Sequence, residues 1–207
     1  MTDMKRTNGG GTVRIAPANE VPWDDLLAVI GQARCHGGSC FCQRFKIGRD
    51  WRSITDEDRA QRLEQQSNCG HPVSRTTNGL IAYVADAPAG WCAVEPRTAY
   101  PYLSNPIVWG KREEDRADAG VWALTCFVVR PDYRRTGITY ELAAAAVEHA
   151  RARGARALEG YPMITVPGQN ITWGELHVGA YGAFAAAGLT EIRRPTKRRV
   201  VMRIEFG

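Results

Sequence analysis

The sequence predicts a mixed α/β (α+β) fold in a single domain spanning residues 12–207. Three observations carry this. Val121–Val129 holds only one ordinary polar side chain, Thr125, as suits a central strand covered on both faces. That run leads through the turn Arg134-Arg135-Thr136-Gly137 into a long alanine-rich helical stretch, and then into a second short strand. Before and after this unit, strand-like and helix-like segments alternate without an internal repeat.

In chain order, a short strand is expected around Val13 to Ala16. A helix follows from about Trp23 to Ala33, because Leu26, Leu27 and Ile30 are spaced to share one face. Thr55 followed by three acids is an N-cap signature for a second helix. Leu80–Val84 and Trp91–Val94 flank Asp86-Ala87-Pro88-Ala89-Gly90 and are expected to form an antiparallel hairpin around that turn. The stretch from Arg97 to Gly120 lacks periodicity, and its segment KREEDRAD reads as a solvated loop. The alanine-rich helix is expected from Thr136 to Arg153, ended by Gly154. A strand before Pro162, a loop through Trp173, a short helix over Tyr181–Ala187, and strands near Leu189–Arg193 and Val200–Phe206 complete the chain.

The composition excludes little by itself. No apolar run of about 18 residues exists, so no membrane span is expected. Residues 1–11 are polar and carry no secretory-type apolar segment, and they are expected to be a flexible end. A cytoplasmic location with the six cysteines reduced is the corresponding expectation. A net charge of +5 admits a phosphate-rich cofactor or a nucleic acid without choosing between them.

The turn at Arg134–Gly137 carries chemistry. A strand feeding directly into a helix leaves the first helical amides unpaired at the positive end of the helix dipole, a place for an anion. Gly137 allows close backbone approach, and Arg134 and Arg135 add charge suited to phosphate oxygens. A plain surface turn before a capped helix would use similar residues.

The stretch VVRPDYRRTGIT resembles the acyl-CoA-binding motif of the GNAT superfamily of N-acetyltransferases: Arg or Gln, two residues, Gly, one residue, then Gly or Ala. Arg134, Gly137 and Ile138 match, with Pro131 and Tyr133 frequent before them, while Thr139 departs from the small residue usual at the last position. GLIAYVADAPAGWCAVEPR, VWALTCFVV, RGARALEGYP and GAFAAAGL follow in the order of a GNAT's central elements. They also resemble a bacterial subgroup of unassigned GNATs with a Gly-Trp-Cys hairpin strand and a Glu-Gly-Tyr-Pro strand end.

The resemblance implies a mostly antiparallel mixed sheet flanked by helices and splayed between its fourth and fifth strands, the one ending at Val129 and the one holding Glu159. Acyl-CoA would lie in the splay. Its pyrophosphate would rest on Arg134, Arg135, Thr136, Gly137, Ile138 and Thr139, and its pantetheine would pair with the backbone of Phe127, Val128 and Val129. The implied activity is acetyl transfer from acetyl-CoA to a primary amine of a small molecule, by direct attack in a ternary complex. A non-catalytic acyl-CoA sensor or scaffold is the alternative. Dimers are common in the superfamily, so a homodimer is compatible, and no residue argues it either way.

An alkylamine must lose a proton before attack, which calls for a base. The Glu usual on the strand before the motif is replaced here by Trp122, Ala123 and Leu124. Glu159 is the substitute, with a structural ion pair to Arg156 or Arg130 as its other reading; Glu95 is a second candidate. The Tyr that many GNATs use as acid, four residues before a Gly, corresponds to Phe184, which has no proton to give. Tyr181, one turn earlier, and His177 are the candidates for that role. Trp91, Trp122, Trp173 and Tyr161 are candidates for an aromatic acceptor pocket, or for core.

Two features stay outside this picture. Cys35, Cys40, Cys42 and Cys69, with His36 and His71, hold enough ligands for zinc, but the spacing is wrong for paired knuckles, so no metal is expected. The basic run Arg193–Arg199 reads as a hairpin turn rather than a nucleic-acid site.

Overall fold

The computed structural model describes residues 5–6, 12–33, 38–166 and 168–207. Its strands are β1 (Lys5–Arg6), β2 (Thr12–Pro17), β3 (Gly79–Val84), β4 (Ala87–Pro96), β5 (Val121–Val129), β6 (Ala157–Gly160), β7 (Thr190–Thr196) and β8 (Arg199–Glu205). They form one mixed sheet in the order β1-β2-β3-β4-β5-β6-β8-β7. β5 and β6 run parallel, and the other neighbours are antiparallel. The helices are α1 (Trp23–Ile30), α2 (Arg44–Ile47), α3 (Asp56–Ser67), α4 (Pro106–Trp109), α5 (Ile138–Ala152), α6 (Trp173–Leu176) and α7 (Tyr181–Ala186). Of residues 1–11, Lys5–Arg6 pair with Val13 and Thr12, and the others lie outside the described residues.

α5 and α7 cover one face of the sheet, and α1 and α3 cover the other. Alternation assigns the strand residues: Leu80, Ala82, Cys92 and Val94 pack toward α5, and Ile81, Tyr83, Trp91 and Ala93 pack toward α1. α3 begins as its sequence demands, with Thr55 Oγ1 accepting from the Asp58 amide at 3.1 Å.

The β3–β4 hairpin turns earlier than expected. Its two central residues are Ala85 and Asp86, both at positive φ (47° and 64°), so the loop is of the tight two-residue kind that matches strand twist. Ala87-Pro88-Ala89 therefore belong to β4. Ala82 pairs with Gly90 and Tyr83 with Pro88, which leaves Ala89 as a bulge residue. A proline beside a bulge costs the sheet little.

A second bulge shapes the centre of the molecule. Ala93 pairs with Cys126 and Val94 with Leu124, so Thr125 is the extra residue on β5. The parity of the strand changes there. Leu124 and Phe127 face α5, whereas Cys126 and Val128 face α1. The parallel pairing of β5 with β6 ends at Leu124 and Gly160, beside the bulge, and beyond it the two strands separate. This is the expected splay, one strand later in the count because β1 precedes the others. Phe184 fills the wedge: a Cβ on Gly160 would lie 2.0 Å from its ring.

The charged segment is the expected loop, with Lys111, Glu113, Asp115, Arg116 and Ala117 exposed, but the residues before it and two of its side chains fold inward. Asn105 caps α4 by accepting from the amides of Ile107 and Val108, and Trp109 is buried beneath Arg97 and Arg112, at 4.7 and 4.3 Å from its ring. Arg112 and Glu114 then reach the interior end of β6.

Candidate active site

β5 leaves the sheet through Pro131–Tyr133 and enters the segment Arg134–Gly137. Thr136 Oγ1 donates to the Tyr133 carbonyl at 2.7 Å, while Arg135 and Gly137 lie at φ 64° and 91°. Left-handed residues in such a turn let successive amides converge on one point. Gly137 caps α5, and the first intrahelical donors are Tyr140 and Glu141, both to its carbonyl. The amides of Ile138 and Thr139 thus lie outside the helix's own ladder. A Cβ at Gly137 would meet nothing within 4 Å, so the backbone there is open to an approaching group. A cavity of about 160 Å³ sits at this turn, lined by Arg134, Arg135, Gly137, Ile138 and Thr139 among others.

A cavity of about 340 Å³ extends from the turn along β5, between Phe127 and Val129 on one side and Leu176, His177, Gly179 and Ala183 on the other. The Phe127 amide donates to the His177 carbonyl at 2.6 Å, so that part of the strand edge is already paired within the chain. Arg134 Nε donates to the Val129 carbonyl at 3.2 Å. By strand alternation, Phe127 and Val129 present their backbone to the splay, while Val128 presents its own toward β4 and buries its side chain among α1's contacts. Of the three residues expected to pair with pantetheine, Val128 is therefore not brought to the cleft.

A third cavity, of about 230 Å³, is mostly apolar and lies between α2, the α4 segment and β8. Phe45, Leu103, Ile107, Val108, Val178 and Val201 form its walls, and Arg44, Arg199, Tyr161 and His177 supply its polar groups. His177 lines both this cavity and the one along β5. Its ring stacks on Phe45 with centroids 6.0 Å apart, and Nδ1 lies 2.9 Å from the Gly174 carbonyl. A carbonyl only accepts, so Nδ1 carries the proton of the neutral ring and Nε2 the lone pair.

Glu159 sits elsewhere. It is fully buried, and its Oε1 accepts from Arg112 (2.6 Å), Arg203 (3.0 Å) and Arg97 (3.2 Å), while Oε2 accepts from the Tyr161 hydroxyl (2.7 Å). Its partners are not Arg156 and Arg130, which instead engage Asp118 and the Pro88 carbonyl. A carboxylate with both oxygens committed to four donors orients its neighbours. Burial and the Glu159 charge push the Tyr161 hydroxyl well above its ordinary pKa, so it stays protonated and donates. Glu114 joins the cluster. Burial alone would raise its carboxyl, but the Arg203 hydrogen bond and the charges of Arg97, Arg203 and Arg112 hold it below the usual range. Sequence reasoning missed Arg97, Arg112, Arg203 and Glu114, which come from segments far apart in the chain.

The remaining candidates divide between site and core. Glu95 pairs with Lys46 at 2.5 Å, and with burial its charge raises the buried Tyr100. Tyr181 opens α7 packed against the core on the α5 side, and the residues lining the three cavities do not include it. Trp91 is buried, its indole N–H donating to Cys42 Sγ at 3.2 Å, and Trp122 packs edge-on against His149. Tyr161 is the predicted aromatic that lines the apolar cavity; the Trp173 side chain lies outside what the structure describes. Cys40 packs against Trp51 and Cys69 accepts from Ser67, whereas Cys35 and His36 lie outside the described residues. In the basic run, Arg194 pairs with Glu191 and Arg198 with Glu175. Among the described residues, no helix is long and apolar enough to cross a membrane.

Residues 46–161, more than half of the chain, match the sequence model of the Acetyltransferase (GNAT) family. No curated protein matches the sequence at a significant level. Solved structures of similar fold include the GNAT domain of S. lividans PAT, 18% identical over 99% of this chain and 97% of that one, with a TM-score of 0.53. Another is yncA from Salmonella typhimurium, solved with its cofactor acetyl-CoA, 11% identical over 94% of each chain, TM-score 0.52. A third is an acetyltransferase of the GNAT family from Bacillus anthracis, 10% identical over 99% and 97%, TM-score 0.51. At these identities the likeness is one of fold.

Proposed function

Because the chain belongs to the GNAT family of acetyltransferases, we propose that it moves an acetyl group from acetyl-CoA to the primary amine of a small molecule, by direct attack in a ternary complex. The observation that carries this reading is His177, shared by a strand-edge cavity that ends on the turn with Arg135 and Gly137 at positive φ and by a mostly apolar cavity.

The residues present fit the cofactor. The amides from Arg135 to Thr139, with Arg134 and Arg135, would hold the pyrophosphate, and the open space at Gly137 leaves room for it. Thr139 lines the same cavities, and its hydroxyl adds a donor where the family usually has none. Phe127 and Val129 offer the strand edge; the Phe127 amide is reached only if the His177 carbonyl gives way. Bound acetyl-CoA supplies a thioester carbonyl as electrophile.

Transfer forms an N–C bond and breaks a C–S bond; one proton leaves nitrogen and one reaches sulfur. We assign the first to His177, whose ring lines both cavities. The Gly174 carbonyl fixes the ring tautomer, and Phe45 holds its plane. Glu159 and its arginines hold Tyr161 against the acceptor cavity as positioning groups. Tyr181 remains a candidate acid only if α7 shifts toward the cleft.

A second reading, a non-catalytic acyl-CoA binder, draws support from Phe184, which stands fully buried where the family's proton donor is expected. Calorimetric titration with acetyl-CoA, followed by thiol release over a panel of amines, separates the two. The enzyme reading expects micromolar binding, about −8 kcal/mol, lost in Arg134→Ala/Gly137→Trp. It also expects turnover that falls about 10²–10⁴-fold in His177→Gln while acetyl-CoA binding survives. Binding without thiol release on any amine would favour the binder, and no binding by the folded protein would sink both.

A further inference from the structure

Among the described residues, five of the ten half-buried or buried arginines face a carboxylate, namely Arg59, Arg97, Arg112, Arg198 and Arg203, and Arg130, Arg153 and Arg193 donate to backbone carbonyls instead. For Arg44 and Arg199 neither a carboxylate nor a carbonyl partner is seen among the described residues. Both are half-buried, both line the apolar cavity, and among the described residues neither guanidinium has a carboxylate within ion-pair distance. Among the described residues, no Asp or Glu lines that cavity. Burial and the nearby charge of Arg44 both act against the charged form of Arg199. Glu175 acts on it in the opposite sense, but from outside the lining, with its own oxygens engaged by Thr172 and Arg198. Two like charges held together beside an apolar wall leave a site for an external anion, because desolvated guanidiniums bind carboxylates by strong, directional hydrogen bonds.

We propose that the acceptor is an amino-carboxylic acid with an apolar body, its carboxylate held by Arg44 and Arg199 and its hydrocarbon against Phe45, Leu103, Ile107 and Val108. This rests on the acetyl-transfer reading of the same site. The cavity, about 230 Å³ and open to solvent on one side, admits a molecule of amino-acid size. A single negative charge suits a lining this apolar, since desolvation cost grows with charge. Polycationic amines are disfavoured: they would bring further ammonium groups to a cavity whose described lining holds no acid. After transfer, the product keeps its carboxylate and loses its ammonium charge.

The test separates binding from turnover. With the full chain saturated with CoA, 3-phenylpropanoate and 3-phenylpropan-1-amine are titrated by calorimetry, and L-phenylalanine is compared with 2-phenylethylamine for thiol release from acetyl-CoA. The expected result is binding of the carboxylate in preference to the ammonium probe. That binding should weaken about tenfold in Arg44→Gln and in Arg199→Gln and be largely kept in Arg199→Lys. Carboxylate binding without thiol release would leave the anion site standing and count against acetyl transfer. Equal or tighter binding of the ammonium probe, or no carboxylate binding by protein that melts cooperatively, overturns the proposal. So does carboxylate affinity unchanged in both glutamine variants.

Discussion

Replacing Glu159 by Gln tests whether the buried carboxylate is a structural hub or the catalytic base. The change keeps the shape and removes the charge that faces Arg97, Arg112 and Arg203 at 3.2, 2.6 and 3.0 Å. At an effective dielectric of about 20, each such contact is worth roughly 4 kcal/mol before desolvation is counted. Desolvation cancels most of that sum, and breaking a buried pair by deleting one partner costs about 3–5 kcal/mol net. Among the described residues, Glu114 and the exposed Glu205 are the carboxylates that would remain to face the guanidiniums. For a chain of 207 residues, a loss of this size lowers the melting temperature by about 10 °C. Urea and thermal unfolding measure it, and thiol release is then assayed at a temperature where the variant is folded. The hub reading expects that large drop in stability with kcat/KM reduced by less than about tenfold. A melting temperature within about 2 °C of the parent, with kcat/KM down a hundredfold or more, would refute it and return Glu159 to the role of base.

Two further outcomes follow from the core. His149 is largely buried against Trp122; burial and then the charge of Arg153 lower its pKa from 6.5 to about 4. The unfolded chain therefore takes up this proton first as pH falls. The stability it contributes is present above pH 6.5 and is lost progressively toward pH 4, up to about 3 kcal/mol. Urea midpoints measured from pH 7 to pH 4 should fall less steeply in His149→Phe, and an unchanged slope would remove His149 from the account. Gly160→Ala would drive a methyl into the Phe184 ring, 2.0 Å from the ideal Cβ, at the wedge that holds the splay open. We expect a loss of about 1–3 kcal/mol, with acetyl-CoA affinity reduced as well; a neutral substitution would mean that the wedge is pliable.

Much of the fold was legible because its signals are local. The nine-residue apolar run became β5 residue for residue, Thr55 capped α3, and the glycine at position 137 took the positive φ that ends a strand-turn segment and starts a helix. The β3–β4 turn was misplaced by a few residues because Pro88 reads as a turn residue, whereas the bulge at Ala89 lets it sit within a strand. The bulge at Thr125 gave no sign in composition, since both faces of β5 are apolar and a parity change leaves the pattern of hydrophobic residues unaltered.

The candidate site divides along the same line. Chain-local chemistry determined the anion turn from Arg134 to Thr139, because φ, capping and orphan amides depend on residues within one helical turn. The identity of Glu159's partners was decided only in the tertiary structure. Arg97 lies 62 residues from it, Arg112 47 and Arg203 44. Charged residues at such separations carry no periodicity, and nothing in the solvated KREEDRAD loop marks Arg112 and Glu114 as the side chains that turn inward. The double placement of His177 and the position of Arg44 and Arg199 beside an apolar wall are likewise products of packing. A cavity is formed by surfaces from α2, the α4 segment, the His177 segment and β8 meeting in space, and that meeting fixes which side chains share a dielectric environment.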